Sequence, residues 1–132
     1  MSAPVLAVDP GEVRIDLAIS DPTQTIARPL EVVRHVSRAA DAQAILERAA
    51  RHGADTIVIG LALDSEGEVG PQARRAVRLA QALRELTPLN IETWDESGST
   101  IAARQNKRDD PLLDARAAAV ILQEYLDAHR PT

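Results

Sequence analysis

The chain contains no cysteine and no phenylalanine, and only one tryptophan and one tyrosine. Without cysteine there is no disulfide, no thiol nucleophile and no zinc site built on thiolates. The three histidines, His35, His52 and His129, have no metal-ligand spacing. Aromatic residues make up 2% of the chain, too few for the stacking platform on which single-strand binders usually hold bases. Any bound nucleic acid is therefore gripped mainly through its phosphates and its shape. A positive charge balance is also missing. Fifteen Lys and Arg stand against 20 Asp and Glu, a net charge of −5, whereas many nucleic-acid binders are strongly basic. Local patches decide phosphate affinity more than the sum does, and two exist. Arg74, Arg75, Arg78 and Arg84 crowd one segment, and Arg104, Lys107 and Arg108 another. Read alone, either patch is a solvated helix surface.

The opening, MSAPVLAVDPG, has no basic head and no apolar stretch long enough for a signal peptide or membrane span. A soluble, cytoplasmic protein is expected. At 132 residues and 45% hydrophobic content, the expectation is a single domain over residues 1–132 with an ordinary core.

The apolar run Val5 to Val8 ends at Asp9-Pro10-Gly11, a tight-turn signal. Val13, Ile15, Leu17 and Ile19 then alternate with polar or small residues, the period of a half-buried strand. A third strand is expected between Thr25 and Val36. The pattern changes to helix after Asp41, a candidate cap, with apolar positions at Ala42, Ile45, Leu46 and Ala49 ending near Gly53. Thr56 to Ile59 reads as a buried strand closed by Gly60, and Pro71 starts a helix to about Leu86. Asn90 to Trp94 reads as a last strand, and Pro111 to about Leu126 as a last helix. The predicted fold is α/β: a mixed five-stranded sheet, three antiparallel strands followed by parallel ones, flanked by helices.

In such sheets ligands gather at the carboxyl ends of parallel strands. Asp9 ends the first strand and Asp95-Glu96 the last, while Asp114 falls in the first turn of the final helix. Clustered carboxylates repel unless a cation neutralises them. An all-oxygen donor set suits Mg2+ or Mn2+ rather than zinc, and two such ions can activate water and stabilise a leaving oxygen in phosphodiester cleavage. Taken singly, each acid is equally well a turn residue, a helix-dipole partner or a surface charge. Composition and spacing alone reach an α/β domain with a candidate metal site.

Four ordered segments carry a more specific message. AVDPGEVRIDLAISDP, IVIGLALDSEGEVGPQARR, TWDESGSTIAA and LLDARAAAVILQEYLD resemble, in order and spacing, the conserved stretches of the YqgF/RuvX family. That resemblance implies a ribonuclease-H-like fold similar to Holliday-junction resolvases, and a role in maturing the 5′ end of 16S ribosomal RNA. It implies a nuclease with a two-metal site of Mg2+ or Mn2+ on Asp9, Glu96 and Asp114. Adjacent strand residues face opposite ways, so Glu96 is favoured over Asp95, which is held in reserve. The expected reaction is in-line hydrolysis leaving a 5′-phosphate. Arg104, Lys107 and Arg108 are expected to contact flanking phosphates, with Arg74, Arg75 and Arg78 as a second surface. Expected substrates are precursor ribosomal RNA, single-stranded RNA or DNA, or branched DNA, taken by a monomer or homodimer.

The chain departs from the family pattern in places. Asp16 stands where Gly is usual, where it can pair with Arg14 or add a carboxylate to the site. Ser97 replaces an Arg and Ala62 a Pro, and the segment from Thr100 to Asp114 is shorter than usual. The rival reading is a non-catalytic protein that binds nucleic acid or the ribosome. The acidic net charge and Ser97 favour it, and the retained acids oppose it.

Overall fold

The computed structural model describes residues 2–96 and 111–130, with side chains of the second stretch from 116 onward. The order of elements is β1 (Val5–Pro10), β2 (Arg14–Ser20), β3 (Ala27–Arg34), α1 (Arg38–His52), β4 (Thr56–Leu61), α2 (Pro71–Leu86), β5 (Asn90–Asp95) and α3 (Pro111–Ala128). The sheet runs β3-β2-β1-β4-β5. β1 pairs antiparallel with β2, and β2 with β3. β1 and β5 both pair parallel with β4. This is the mixed five-stranded sheet expected from the sequence. Among the described residues, no helix is long and apolar enough to cross a membrane.

The two faces of the sheet carry different cores, and strand alternation sorts the residues between them. Leu6, Val8, Ile15, Leu17, Ile57 and Ile59 pack against Ala42, Ile45 and Ala49 of α1 and Ala76, Leu79 and Leu83 of α2. On the other face Val5, Ala7, Ala18 and Val58 meet Ala118, Leu122, Tyr125 and Leu126 of α3. The α3 positions recur at helical spacing and form one apolar stripe.

Helix α1 begins four residues earlier than a cap at Asp41 would place it. Ser37 is the N-cap, accepting from the Ala40 amide at 3.1 Å, while Asp41 sits buried in the first turn. Asp41 accepts the Val36 amide at 3.0 Å and pairs with His35 Nδ1. Short polar residues compete for the capping role, and here the serine hydroxyl wins. Gly53 ends the helix at φ 72°, the left-handed geometry that favours glycine.

The outer strand β3 is bound to α1 by a two-pronged ion pair. Arg48 Nη2 and Nε donate to Glu31 at 2.8 and 3.2 Å. The same strand carries Pro29, and its register with β2 shifts between Leu17 and Ala18, an irregularity of the bulge type.

Candidate active site

The turn after β1 is closed by Gly11, whose amide donates to the Arg14 carbonyl at 2.9 Å. A Cβ on Gly11 would lie 2.6 Å from that carbonyl oxygen, so only glycine fits. The tight turn aligns β1 and β2 with Asp9 directly opposite Asp16 and Pro10 opposite Ile15. Val5 and Ala7 face α3, so alternation puts Asp9 on that face too, beside Asp16. Asp9 is half-buried, and Asp16 is 7% exposed.

Pairing of β1 with β4 ends at Val8–Ile59, while β1 itself continues to Pro10. The next residue of β4 on the α3 face is Gly60. A Cβ there would lie 2.8 Å from Glu96 Oε2 and 2.8 Å from Ile121 Cδ1. The Glu96 carboxylate therefore rests on the bare backbone of β4, roofed by α3. Adjacent strands lie about 4.8 Å apart, which sets this carboxylate about one strand from Asp9. Glu96 is 2% exposed, and its amide donates to the Leu61 carbonyl at 2.8 Å, extending the β4–β5 ladder by one bond. Asp95 is exposed and, by alternation, lies on the opposite face.

Asp114 lies in the first turn of α3. The Tyr125 hydroxyl meets Glu92 in mid-β5, and Gln123 reaches the start of β3. Ile121 covers Gly60 near the end of β4. Helix α3 therefore runs counter to β1 and β4, and its first turn lies toward their carboxyl ends, where Asp9 and Glu96 are. Arg104, Lys107, Arg108 and Ser97 lie outside the described residues.

The second basic group is divided by the structure. Helix α2 packs on the sheet face away from Asp9 and Glu96. Arg74 and Arg78 are exposed on it, and Arg75 reaches the β1–β2 turn, 3.6 Å from Glu12. Arg84 donates to the Ile91 carbonyl at 2.9 Å and is a tie between α2 and β5. Two arginines that received no such role stand on the carboxylate face instead. Arg14 and Arg34 are direct partners across β2 and β3, two residues beyond Asp16, in a like-charged pairing that sheets usually avoid.

The few aromatic groups pack together. Trp94 meets Tyr125 edge-on at 5.6 Å, and His129 stacks on Tyr125 at 4.0 Å. Burial, followed by the hydrogen bond to Glu92, pushes the Tyr125 phenol up to about 12.

The donors gathered on this face are carboxylate oxygens, the hard ligands that suit Mg2+ or Mn2+. Among the described residues, no group of three or more His, Asp or Glu could hold an ion; a complete set needs a ligand from outside that group.

Buried carboxylates at the carboxyl edge of a mixed β3-β2-β1-β4-β5 sheet are the layout of a resolvase-type, ribonuclease-H-like fold. T. thermophilus RuvC in complex with Holliday junction substrate superposes with a TM-score of 0.60 at 16% identity, covering 96% of this chain and 94% of that one. Fowlpox virus resolvase with substrate Holliday junction DNA gives 0.57 at 12%, covering 97% and 99%. Residues 3–128 match the family model described as RuvX: Holliday junction resolvase, and the chain belongs to that family. Relatives titled "Putative pre-16S rRNA nuclease" share 32% identity in Caldanaerobacter subterraneus, covering 96% of this chain and 97% of the relative. The one in Anaeromyxobacter sp. shares 39%, covering 92% and 95%. By name and fold this is a family of nucleases.

Proposed function

We propose that the chain, acting as one domain over residues 1–132, is a divalent-metal-dependent nuclease that hydrolyses phosphodiester bonds in RNA or DNA. Asp9, Glu96 and Asp114 would hold Mg2+ or Mn2+, with Asp16 beside them. The observation that carries this reading is the convergence of Asp9, Asp16 and Glu96 on one sheet face in a RuvX-family chain. Such ions, when bound, supply Lewis-acid activation of water and neutralise the leaving oxygen. The chain's own part is to fix the carboxylates. Burial and the Gly60 cradle hold Glu96 in one place, and the ladder opposite Asp16 holds Asp9. Arg14 and Arg34 face the same side and are suited to the phosphates of an incoming strand.

The name carried by the relatives supports precursor 16S ribosomal RNA as the natural substrate, and action in the cytoplasm is part of the same proposal. Resolving a four-way junction would require two such sites and hence a dimer.

The test is cleavage of labelled single-stranded RNA, single-stranded DNA and a four-way junction in Mn2+, Mg2+ or EDTA, beside Asp9→Asn and Asp114→Asn. Metal-dependent cutting lost in both variants is expected. Cutting that persists in both, or no cutting on any substrate, would replace the catalytic reading with that of a binding protein.

A further inference from the structure

The end of the sheet that carries Asp9 has a second recess, on the opposite face. A cavity of about 250 Å3 opens between the β1–β2 turn and the starts of α1 and α2, lined by Gly11, His35, Ser37, Arg38 and Arg75 among others. Its negative and accepting groups are already engaged. Asp41 is occupied by His35 and by the Val36 amide at 3.0 Å, and the Ser37 hydroxyl accepts from Ala40. Its two arginines are held weakly or not at all. Arg75 Nε is buried with no hydrogen-bond partner among the described residues. The nearest carboxylate to Arg75, Glu12, is 79% exposed and 3.6 Å away, too far for a good hydrogen bond and worth little as an ion pair. Arg38 is exposed, and no described residue pairs with it. It is also the first residue of α1, where the helix dipole disfavours a cation. Two guanidiniums, that of Arg75 with an Nε that has no acceptor among the described residues, and a helix start form a recess suited to an anion with several acceptor oxygens. Guanidinium forks match phosphate in that respect, and helix starts favour it.

We infer that this recess binds a phosphate group, supplied by the nucleic-acid backbone as it crosses the end of β1. For its occupant the inference rests on the nuclease reading. Pro10 and Gly11, which line the recess, directly follow Asp9. Two residues span at most about 7 Å, so the recess adjoins the carboxylate site around the edge of the sheet. A strand held by both is bent over that edge.

Binding is measured in EDTA, where cleavage cannot interfere, by amide NMR shifts and by affinity. The probes are inorganic phosphate and a short single-stranded oligonucleotide, with wild type, Arg75→Gln and Arg38→Gln. The exposed Arg38→Gln keeps the test valid if Arg75→Gln fails to fold. Oligonucleotide shifts at Gly11, Ser37 and Arg38 are expected, with affinity falling about tenfold in each variant. The slope of log affinity against log salt should fall by about one. Oligonucleotide binding that leaves these amides and both affinities unchanged would overturn the inference, while Mn2+-dependent cleavage in a parallel assay keeps the nuclease reading intact. Shifts with inorganic phosphate but not with oligonucleotide would overturn the assignment to nucleic acid and give the recess to a free anion.

Discussion

Asp9 and Asp16 stand directly opposite each other across the β1–β2 ladder, two carboxylates side by side on the face that α3 covers. Like charges so placed destabilise a sheet by about 0.2–1 kcal/mol, and a cation between them reverses the sign. Mn2+ should therefore raise the melting temperature of the wild type over its value in EDTA, and raise that of Asp16→Asn and Asp9→Asn less. Thermal unfolding with and without metal reads this directly. Equal metal shifts in all three proteins would remove Asp16 and Asp9 from the ion's surroundings.

Gly60 is the floor under Glu96. In Gly60→Ala the new methyl would meet Glu96 Oε2 and Ile121 Cδ1, each at 2.8 Å, and α3 or the carboxylate must move. Overpacking of this kind costs about 1–3 kcal/mol. Cleavage should fall by at least about tenfold under conditions where the variant remains folded. An unaltered rate would mean that the position of Glu96 is not critical.

Arg34 opposite Arg14 separates stability from function. Arg34→Glu turns a repulsive cross-strand pair into an attractive one and should stabilise the fold by up to about 1 kcal/mol. If phosphates pass this face, the same variant binds oligonucleotide more weakly, most visibly at low salt. Denaturant midpoints and salt-dependent affinities measure the two effects. A variant both less stable and unaltered in binding would contradict this placement.

Tyr125 is the only tyrosine in the chain, so its ionisation can be followed alone by ultraviolet absorbance. The midpoint should lie near 12 rather than the usual 10.0. Because the folded state favours the protonated phenol, its contribution is complete below pH 10 and is lost as pH rises through about 12. Tyr125→Phe should abolish this part of the alkaline destabilisation.

The order of elements was readable because each segment carries its own period. Val13 to Ile19 alternates, and the α2 and α3 segments repeat at helical spacing. The placement of Asp9 and Glu96 at one edge of the sheet was readable because each lies within one residue of a strand end, and the alternation of Asp95 and Glu96 assigned their faces. What the linear pattern hid depends on distant partners. Gly60 is explained only by the arrival of Glu96 and Ile121 above it, although a glycine closing an apolar strand is a standing hint of close approach. Arg34 gains meaning only from its register with Arg14. Arg84 resembled its neighbours in a basic run until the fold placed it against the Ile91 carbonyl. The contest between Ser37 and Asp41 for the start of α1 was settled by His35 and Val36, which hold Asp41 elsewhere.

The outer strand β3 bears Pro29, flanked by Arg28, and its register with β2 breaks between Leu17 and Ala18. A proline offers no amide to a neighbouring chain, and charge and irregular twist further spoil the template. Edge-to-edge growth of the sheet through β3 is thereby discouraged, so crowded copies of this chain are kept from zipping into ribbons along that strand.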